Sequence, residues 1–370
     1  MITGRYIGLM SGNSLDAVDA ALCEFSQTQP PRIIATHSSP ISDQLAAAIM
    51  NLEAPESDQI HKMGHIDTEL GILFATCVID LLKKTACSPE SIVAIGSHGQ
   101  TIRHVPNALH PFTIQIGDPN IIAAMTKITT IADFRRRDLA EGGQAAPLAP
   151  SFHQYAFSSK NETRLIFNIG GICNITVLPN HHNHPVTGFD IGPGNTLIDL
   201  WAKAHIGSRY DHNGAWAQSG AINKTLLASM LSDPYFQIPP PKSTGKEYFN
   251  RKWLQQHTIA ALAPEDVQAT LTELTAKSIA AAASDYDKSA QIFVCGGGSA
   301  NDYLMQRIQA NTTLPVLTTD ALGISPRWVE PACFAYLAAR TFAQKSGNLP
   351  SVTGAKTSCV LGAIYPGKAH

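Results

Sequence analysis

The chain has no excess of basic charge: 27 Lys and Arg stand against 29 Asp and Glu, a formal net charge of −2. A nucleic-acid scaffold needs a concentrated basic face, so nucleic acid is not an expected partner. Seven cysteines, at 23, 77, 87, 173, 295, 333 and 359, include no CxxC pair. That excludes the usual zinc spacings and reads as reduced thiols rather than a disulfide framework. No apolar run is long enough to span a bilayer, and Gly8 and Ser11 interrupt the N-terminus before a signal-peptide core could form. The expectation is a soluble, cytoplasmic protein with no membrane partner. Two nucleotide-loop signatures are also missing. There is no GxxxxGK followed by Ser or Thr, which removes a Walker loop, and no GxGxxG, which weakens a dinucleotide reading.

What is present is a length of 370 residues with 44% hydrophobic content, more than one ordinary core accommodates, so two domains are expected. Strands read at Arg5–Met10, Leu15–Phe25 and Ile33–Ser38, with helical patterns at about Asp43–Leu52 and Asp58–Lys84. Further strands read at Ile92–Gly96, Phe112–Ile116 and Ile128–Ala132. A loop from Asp133 through Gly142-Gly143 and Pro147 marks a crossover. Strands then reappear at Arg164–Ile169, Cys173–Leu178 and Val186–Phe189. Helices follow at Thr196–His205, Ser219–Leu231, Lys246–Gln256 and Pro264–Ser284. Ile292–Cys295 is a strand, and Ser299 with Asp302 makes a capping box for the helix after it. A strand Pro315–Thr318 and a helix from about Glu330 to Gln344 close the pattern. Two related α/β domains result, one spanning residues 1–135 plus about 328–370, the other 136–327.

The chemistry gathers at glycine-rich turns. Asp190 sits at the end of an apolar run, and Gly192, Gly194 and Asn195 lead from it into a helix. Backbone N–H groups at such a helix start favour an anion, and the acid beside them can act as a base. The plainer reading is a tight turn whose Asp caps the helix. The turn Ser11-Gly12-Asn13-Ser14-Leu15-Asp16 offers small residues and two hydroxyls; taken singly it reads as a β-hairpin turn. Ser14 could instead be a hydrolase nucleophile, with His98 or His153 as base, although no spacing selects either. Gly296-Gly297-Gly298 lets a flat ligand approach the backbone, or simply packs a helix entry. His61, His65 and Glu69 share a helix face at metal-like spacing but lack the HExxH pattern, which leaves a solvated face. His181, His182 and His184 lie in a polar loop. Arg135-Arg136-Arg137 could clamp an anion.

Together these motifs resemble a known family. Gly8 to Asp16, Ser97-His98-Gly99-Gln100-Thr101, Asp133-Phe134-Arg135, Gly142-Gly143-Gln144 and Asn168-Ile169-Gly170-Gly171 resemble the anhydro-N-acetylmuramic acid kinases. So do Gly188 to Asn195, Pro241-Lys242-Ser243-Thr244-Gly245 and Gly296 to Gly298. The resemblance runs from Ile7 to about Pro366. It implies two related ribonuclease H-like (actin-like ATPase) domains around a central cleft that takes ATP. It implies a reaction too: water opens the 1,6-anhydro ring, and O6 receives the γ-phosphate, giving N-acetylmuramate 6-phosphate and ADP in cell-wall recycling. By position in the matched motifs, Asp190 is the catalytic base. ATP falls to Gly12, Asn13, Ser14, Leu15, Asp16, Ala17, Val18, Asp19, Gly170, Gly171, Gly192, Gly194, Asn195, Gly296, Gly297 and Gly298. The sugar falls to Ser97, His98, Gly99, Gln100, Thr101, Asp133, Arg135 and Glu330. Mg²⁺ arrives on ATP with no protein metal site, and a homodimer is implied. Four positions depart from the family pattern: Asn13 for Thr, Ala17 for Gly, Ile191 for Thr and Ala145 for Gly. Asn13 and Ile191 motivate the alternative of a non-catalytic ATP- or sugar-binding sensor of the same fold.

Overall fold

A computed structural model describes residues 2–12, 14–52, 58–181, 184–240 and 242–367. Asn13, His182 and Pro241, named above, lie outside the described residues. In chain order the strands are β1 (Gly4–Ser11), β2 (Ala17–Phe25), β3 (Arg32–Pro40), β4 (Ala94–Ser97), β5 (Gln100–Val105), β6 (Phe112–Ile116) and β7 (Thr130–Ala132). They continue as β8 (Arg164–Ile169), β9 (Ile172–Leu178), β10 (Thr187–Pro193), β11 (Gln291–Cys295), β12 (Val316–Thr318) and β13 (Ala363–Tyr365).

The chain divides into two compact units, Met1–Ala156 with Trp328–His370, and Phe157–Arg327. The first unit therefore extends past residue 135. The physical reason is Asp138, wholly buried. Its Oδ1 accepts from Asn348 Nδ2 at 2.7 Å and Thr353 Oγ1 at 2.8 Å, tying this segment to the C-terminal one.

Both units are mixed α/β and use the same strand order. In the first, β1, β2 and β3 form an antiparallel meander, and β4 then β7 join β1 in parallel. In the second, β8, β9 and β10 form the meander, and β11 then β12 extend it in parallel. The first unit adds β13 antiparallel to β7 and the separate hairpin β5–β6. Hydrophobic patterning drives this. Leu165, Phe167 and Ile169 of β8 are wholly buried. The helix Gln59–Thr85 buries Leu70, Phe74, Cys77, Val78 and Leu81, one face at helical spacing. The helix Pro264–Ala283 starts with Pro264 in its first turn beside Glu265 and Asp266. No described helix is long and apolar enough to cross a membrane.

Two glycines decide how closely the helix Val329–Phe342 lies on the first sheet. A Cβ at Gly8 would run into the Pro331 carbonyl, and one at Gly96 into the Phe334 carbonyl. Neither backbone can yield the way a side chain could. Gly8→Ala is therefore expected to destabilise the protein by about 3 kcal/mol or more, read as a lower urea midpoint against the parent chain.

Several local expectations are corrected. The helix expected over Ser219–Leu231 starts later, at Lys224–Leu231, because Asn223 caps it through Leu226 N; Ser219 instead ends a separate short helix, Ala215–Ser219. Only Arg251–Gln255 of Lys246–Gln256 is helical; Asn250 caps it and Gly245 turns the chain before it. The helix after β11 is capped by Asn301, whose side chain accepts from Leu304 N; the Ser299 hydroxyl donates to the Gly296 carbonyl instead. A helix at Ala149–Phe157, the strand β5 and the strand β13 had no distinct sequence signal.

Candidate active site

In the first unit, the β1–β2 hairpin turn, the end of β4 and the residues after β7 come together. Ser11 Oγ donates to Gln100 Oε1 at 2.7 Å, and His98 N donates to the Leu9 carbonyl at 3.1 Å. The hairpin turn is thus braced by the Ser97–Thr101 segment. His98 is buried, and its tautomer follows from its partners. Nδ1–H donates to the Gly99 carbonyl at 2.8 Å, leaving Nε2 to accept from Arg135 Nη2 at 2.9 Å and Nε at 3.1 Å. Burial and the Arg135 charge hold His98 well below the usual histidine range, so it stays neutral.

Arg135 also donates to the Ala145 carbonyl at 2.6 Å. Burial lowers its pKa, and the nearby Glu330 charge opposes that shift. Glu330 stands in the first turn of Val329–Phe342, the helix brought close by Gly8 and Gly96. The three-arginine run splits accordingly. Arg136 pairs with Asp133 at 2.8 Å, and Arg137 with Glu141 at 2.9 Å on the exposed side. Ser97, His98, Gly99 and Asp133 line a cavity of about 150 Å³ with Arg136 and Tyr365. Ser97, which lines it, has a buried hydroxyl with no hydrogen-bond partner among the described residues.

The hairpin turn itself divides. Ser14 and Asp16 are exposed, while Leu15 carries the positive φ of 55° and is buried. Ala17 is an ordinary strand residue opposite Pro40, so the missing glycine costs nothing there. Asp19 accepts from the Ser38 hydroxyl at 2.6 Å. The Val18 side chain is wholly buried in the core and its carbonyl accepts from the Cys77 thiol. Only main-chain atoms there remain for a ligand. Ala145, another departure, does adopt φ 57°, held by Asp138 at its N–H and by Arg135 at its carbonyl.

In the second unit the ends of β8, β10 and β11 converge. Gly194 N donates to the Gly171 carbonyl at 2.9 Å, Asn195 N to the Gly170 carbonyl at 2.8 Å, and Thr196 N to the Gly171 carbonyl at 3.1 Å. The β8–β9 turn thus takes up the N–H groups of Gly194, Asn195 and Thr196, and of the helix's first turn only those of Leu197 and Ile198 are left for an anion. Asn195 Nδ2 donates to the Ile169 carbonyl at 3.3 Å. A Cβ on Gly298 would meet the Ile169 side chain, and one on Gly296, at φ 80°, the Asn168 side chain. The Gly296–Gly298 turn therefore lies on the same ground. Two groups missed from sequence stand there. Thr196 Oγ1 is buried without a partner among the described residues, and the Lys246 stem passes where a Cβ on Gly171 would be, 2.8 Å from Cε. Only the neighbouring Gly170-Gly171 pair signalled them.

Asp190 is within β10 rather than at its end. It pairs with Asn174, Gly192 pairs with Cys173, and Ile191 is the extra residue of a β-bulge. The bulge sends the Ile191 side chain into the core, where it is 3% exposed. A Thr at 191 would bury its side chain in the same place, so this departure removes no phosphate ligand and the motive for a sensor weakens. Asp190, half-buried, is held by a distant segment. Its N–H donates to the Lys242 carbonyl at 3.1 Å, and its carbonyl accepts from Tyr235 Oη at 2.7 Å. Oδ2 accepts from Thr244 N at 3.1 Å, and among the described residues no hydrogen bond reaches Oδ1. Burial raises the carboxyl to about 6; the Thr244 N–H opposes this and the Glu247 charge adds to it. A carboxylate with one oxygen fixed, one open, and a proton affinity near neutrality suits a general base.

The comparisons with known proteins agree with the motifs. The family described as anhydro-N-acetylmuramic acid kinase matches residues 4–367. The anhydro-N-acetylmuramic acid kinase of Coxiella burnetii is 52% identical over 367 residues, covering 98% of each chain. That of Shewanella oneidensis is 50% identical over 368 residues, covering 98% of this chain and 99% of its own. That of Shewanella pealeana is 48% identical over 371 residues, covering 99% of this chain and all of its own. With a kinase family matched along nearly its whole length and relatives at about half identity, the chain belongs to the anhydro-N-acetylmuramic acid kinase family.

Proposed function

We propose that the chain opens the 1,6-anhydro ring of anhydro-N-acetylmuramic acid with water and transfers the ATP γ-phosphoryl group to O6. The observation that carries this reading is Asp190, with its free Oδ1 and its carboxyl held near 6 by burial. Asp190 Oδ1 takes a proton from water as the water oxygen bonds the anomeric carbon. The C1–O6 bond breaks, O6 bonds the γ-phosphorus, and the bond to the β-phosphate oxygen breaks to release ADP. The proton leaves Asp190 to solvent. Phosphoryl transfer relies on alignment and charge stabilisation. Gly170 and Gly297 leave room beside the backbone for a flat or anionic ligand, while Gly171, Gly194, Gly296 and Gly298 let the protein's own turns pack closely; the Thr196 hydroxyl, without a partner among the described residues, suits phosphate oxygens, and so does Lys246. Mg²⁺, carried on the triphosphate, supplies further charge neutralisation when bound, and we assign it no protein ligand.

Sugar contacts are assigned to the first unit. Arg135 and neutral His98 form a fixed polar wall, with Ser97, Gly99, Gln100, Thr101, Asp133 and Glu330 around it. Gly12 and Ser14 to Asp19 would meet the phosphates through main-chain atoms. A cytoplasmic homodimer working in cell-wall recycling completes the proposal.

The test is ADP release by the purified chain with ATP, Mg²⁺ and the anhydro-sugar, followed across pH. Release should require the sugar. Because Asp190 must be ionised to accept a proton, the rate should rise with pH through about 6 and then level. Sugar-independent release, or a rate flat across that window, contradicts the assignment.

A further inference from the structure

The place of Asp190 in the sheet creates a difficulty. β10 is the edge strand of its sheet, and the Asp190 N–H donates to the Lys242 carbonyl rather than to β9, so the Asp190 carbonyl also needs a partner from outside the ladder. A buried carbonyl without a partner is costly and does not persist unaided. Tyr235 Oη supplies the partner, donating to the Asp190 carbonyl at 2.7 Å from 45 residues away in sequence.

Tyr235 is itself fixed. Asp233 caps its turn through Tyr235 N at 2.8 Å, its ring meets Phe249 edge-on at 5.5 Å, and Lys242 Nζ lies 4.7 Å over the ring while donating to the Tyr235 carbonyl at 3.2 Å. Lys242 closes the circle by accepting from Asp190 N. Burial pushes the Tyr235 hydroxyl up, so it remains a neutral donor at every working pH.

We propose that Tyr235 is a positioning residue for the reaction: its hydroxyl pins the bulge carbonyl and thereby aims Asp190 Oδ1 at the reacting water. This rests on Asp190 being the base. Nothing in the pattern around Pro234 to Gln237 assigns Tyr235 a role otherwise, since its ring packs as a core residue would.

Tyr235→Phe keeps the ring and removes only the donor. kcat should fall about tenfold, as expected for one hydrogen bond, with KM for ATP and sugar within about twofold. The acid limb of the rate profile should also move down from about 6 toward the ordinary carboxylate range, because a loosened bulge lets water reach Asp190. The other titratable groups around it, Glu247, Tyr235 and Cys173, would leave that direction unchanged: Cys173 and Tyr235 are held neutral by burial, and the Glu247 charge is present in both proteins. A purely structural role would lower thermal stability without moving the limb. Lys242→Met, away from the core, loosens the same clamp and should lower kcat by a smaller step; kcat is the readout for this variant, because removing a cation near Asp190 by itself raises the limb. It stands in if Tyr235→Phe does not fold. An unmoved limb with kcat within twofold in folded Tyr235→Phe, or kcat within twofold in Lys242→Met where it stands in, overturns the proposal. If Asp190→Asn is inactive in the same assay, Asp190 as base survives that failure; if Asp190→Asn is active, that reading falls instead.

Discussion

Asp190→Asn is expected to lower kcat for sugar phosphorylation by about 10²–10⁴-fold, with nucleotide affinity within about twofold of the parent. The amide keeps an acceptor for the Thr244 N–H, and the main-chain bonds to Lys242 and Tyr235 do not involve the side chain. The bulge therefore stays, and what disappears is basicity. Stability moves the other way. A carboxyl raised from 3.8 to about 6 on folding is held ionised at a cost above that range, and the neutral amide removes the cost. Thermal melting at neutral pH should thus be unchanged or higher, which separates lost chemistry from lost structure. Calorimetric nucleotide binding alongside the steady-state rate reads both. Near-normal turnover would remove Asp190 as the base.

The second large effect is expected at Gly194→Ala. A Cβ there would run into the Gly170 carbonyl and come within 3.2 Å of Ile172 C and Cys173 N, all backbone atoms. No rotamer change relieves that. The β8–β9 turn must move away from the start of the helix Thr196–Ile206, breaking the bonds that Gly194, Asn195 and Thr196 donate to Gly170 and Gly171. Displacing reacting groups by about 1 Å can cost on the order of 10²-fold, so kcat/KM for ATP should fall by about that factor. The apolar cluster of Leu165, Phe167, Ile169 and Ile292 lies beneath the turn and need not reorganise, so the far-ultraviolet circular dichroism should be retained. A variant with parental kcat/KM would dissociate this turn from nucleotide binding.

How far the sequence foretold this depends on the distance over which each feature is specified. β8 and the helix Pro264–Ala283 were legible because their signals are local: a continuous apolar run in one, Pro264 with Glu265 and Asp266 in the other. Asp190 was legible as a functional acid through its glycine-rich surroundings. Its place inside a bulge was not, since the register depends on pairing with β9. The helix Ala149–Phe157 was hidden because it follows directly on the loop read through Gly142-Gly143 and Pro147. The grip of Tyr235, Lys242 and Thr244 on Asp190 joins residues 45 to 54 apart, and no spacing rule reports such a contact. The Arg135–His98 pair likewise crosses 37 residues, although both halves fell within recognisable motifs.

The fate of the water oxygen tests most directly whether Asp190 activates water for ring opening coupled to phosphoryl transfer. The chain would be given ATP, Mg²⁺ and the anhydro-sugar in water enriched in heavy oxygen, and the products read promptly by mass spectrometry. One heavy oxygen should appear at the anomeric position of the phosphorylated sugar, none in its phosphoryl group, with ADP formed in equal amount. Heavy oxygen in inorganic phosphate, or a phosphorylated sugar carrying none at the anomeric carbon, would contradict it.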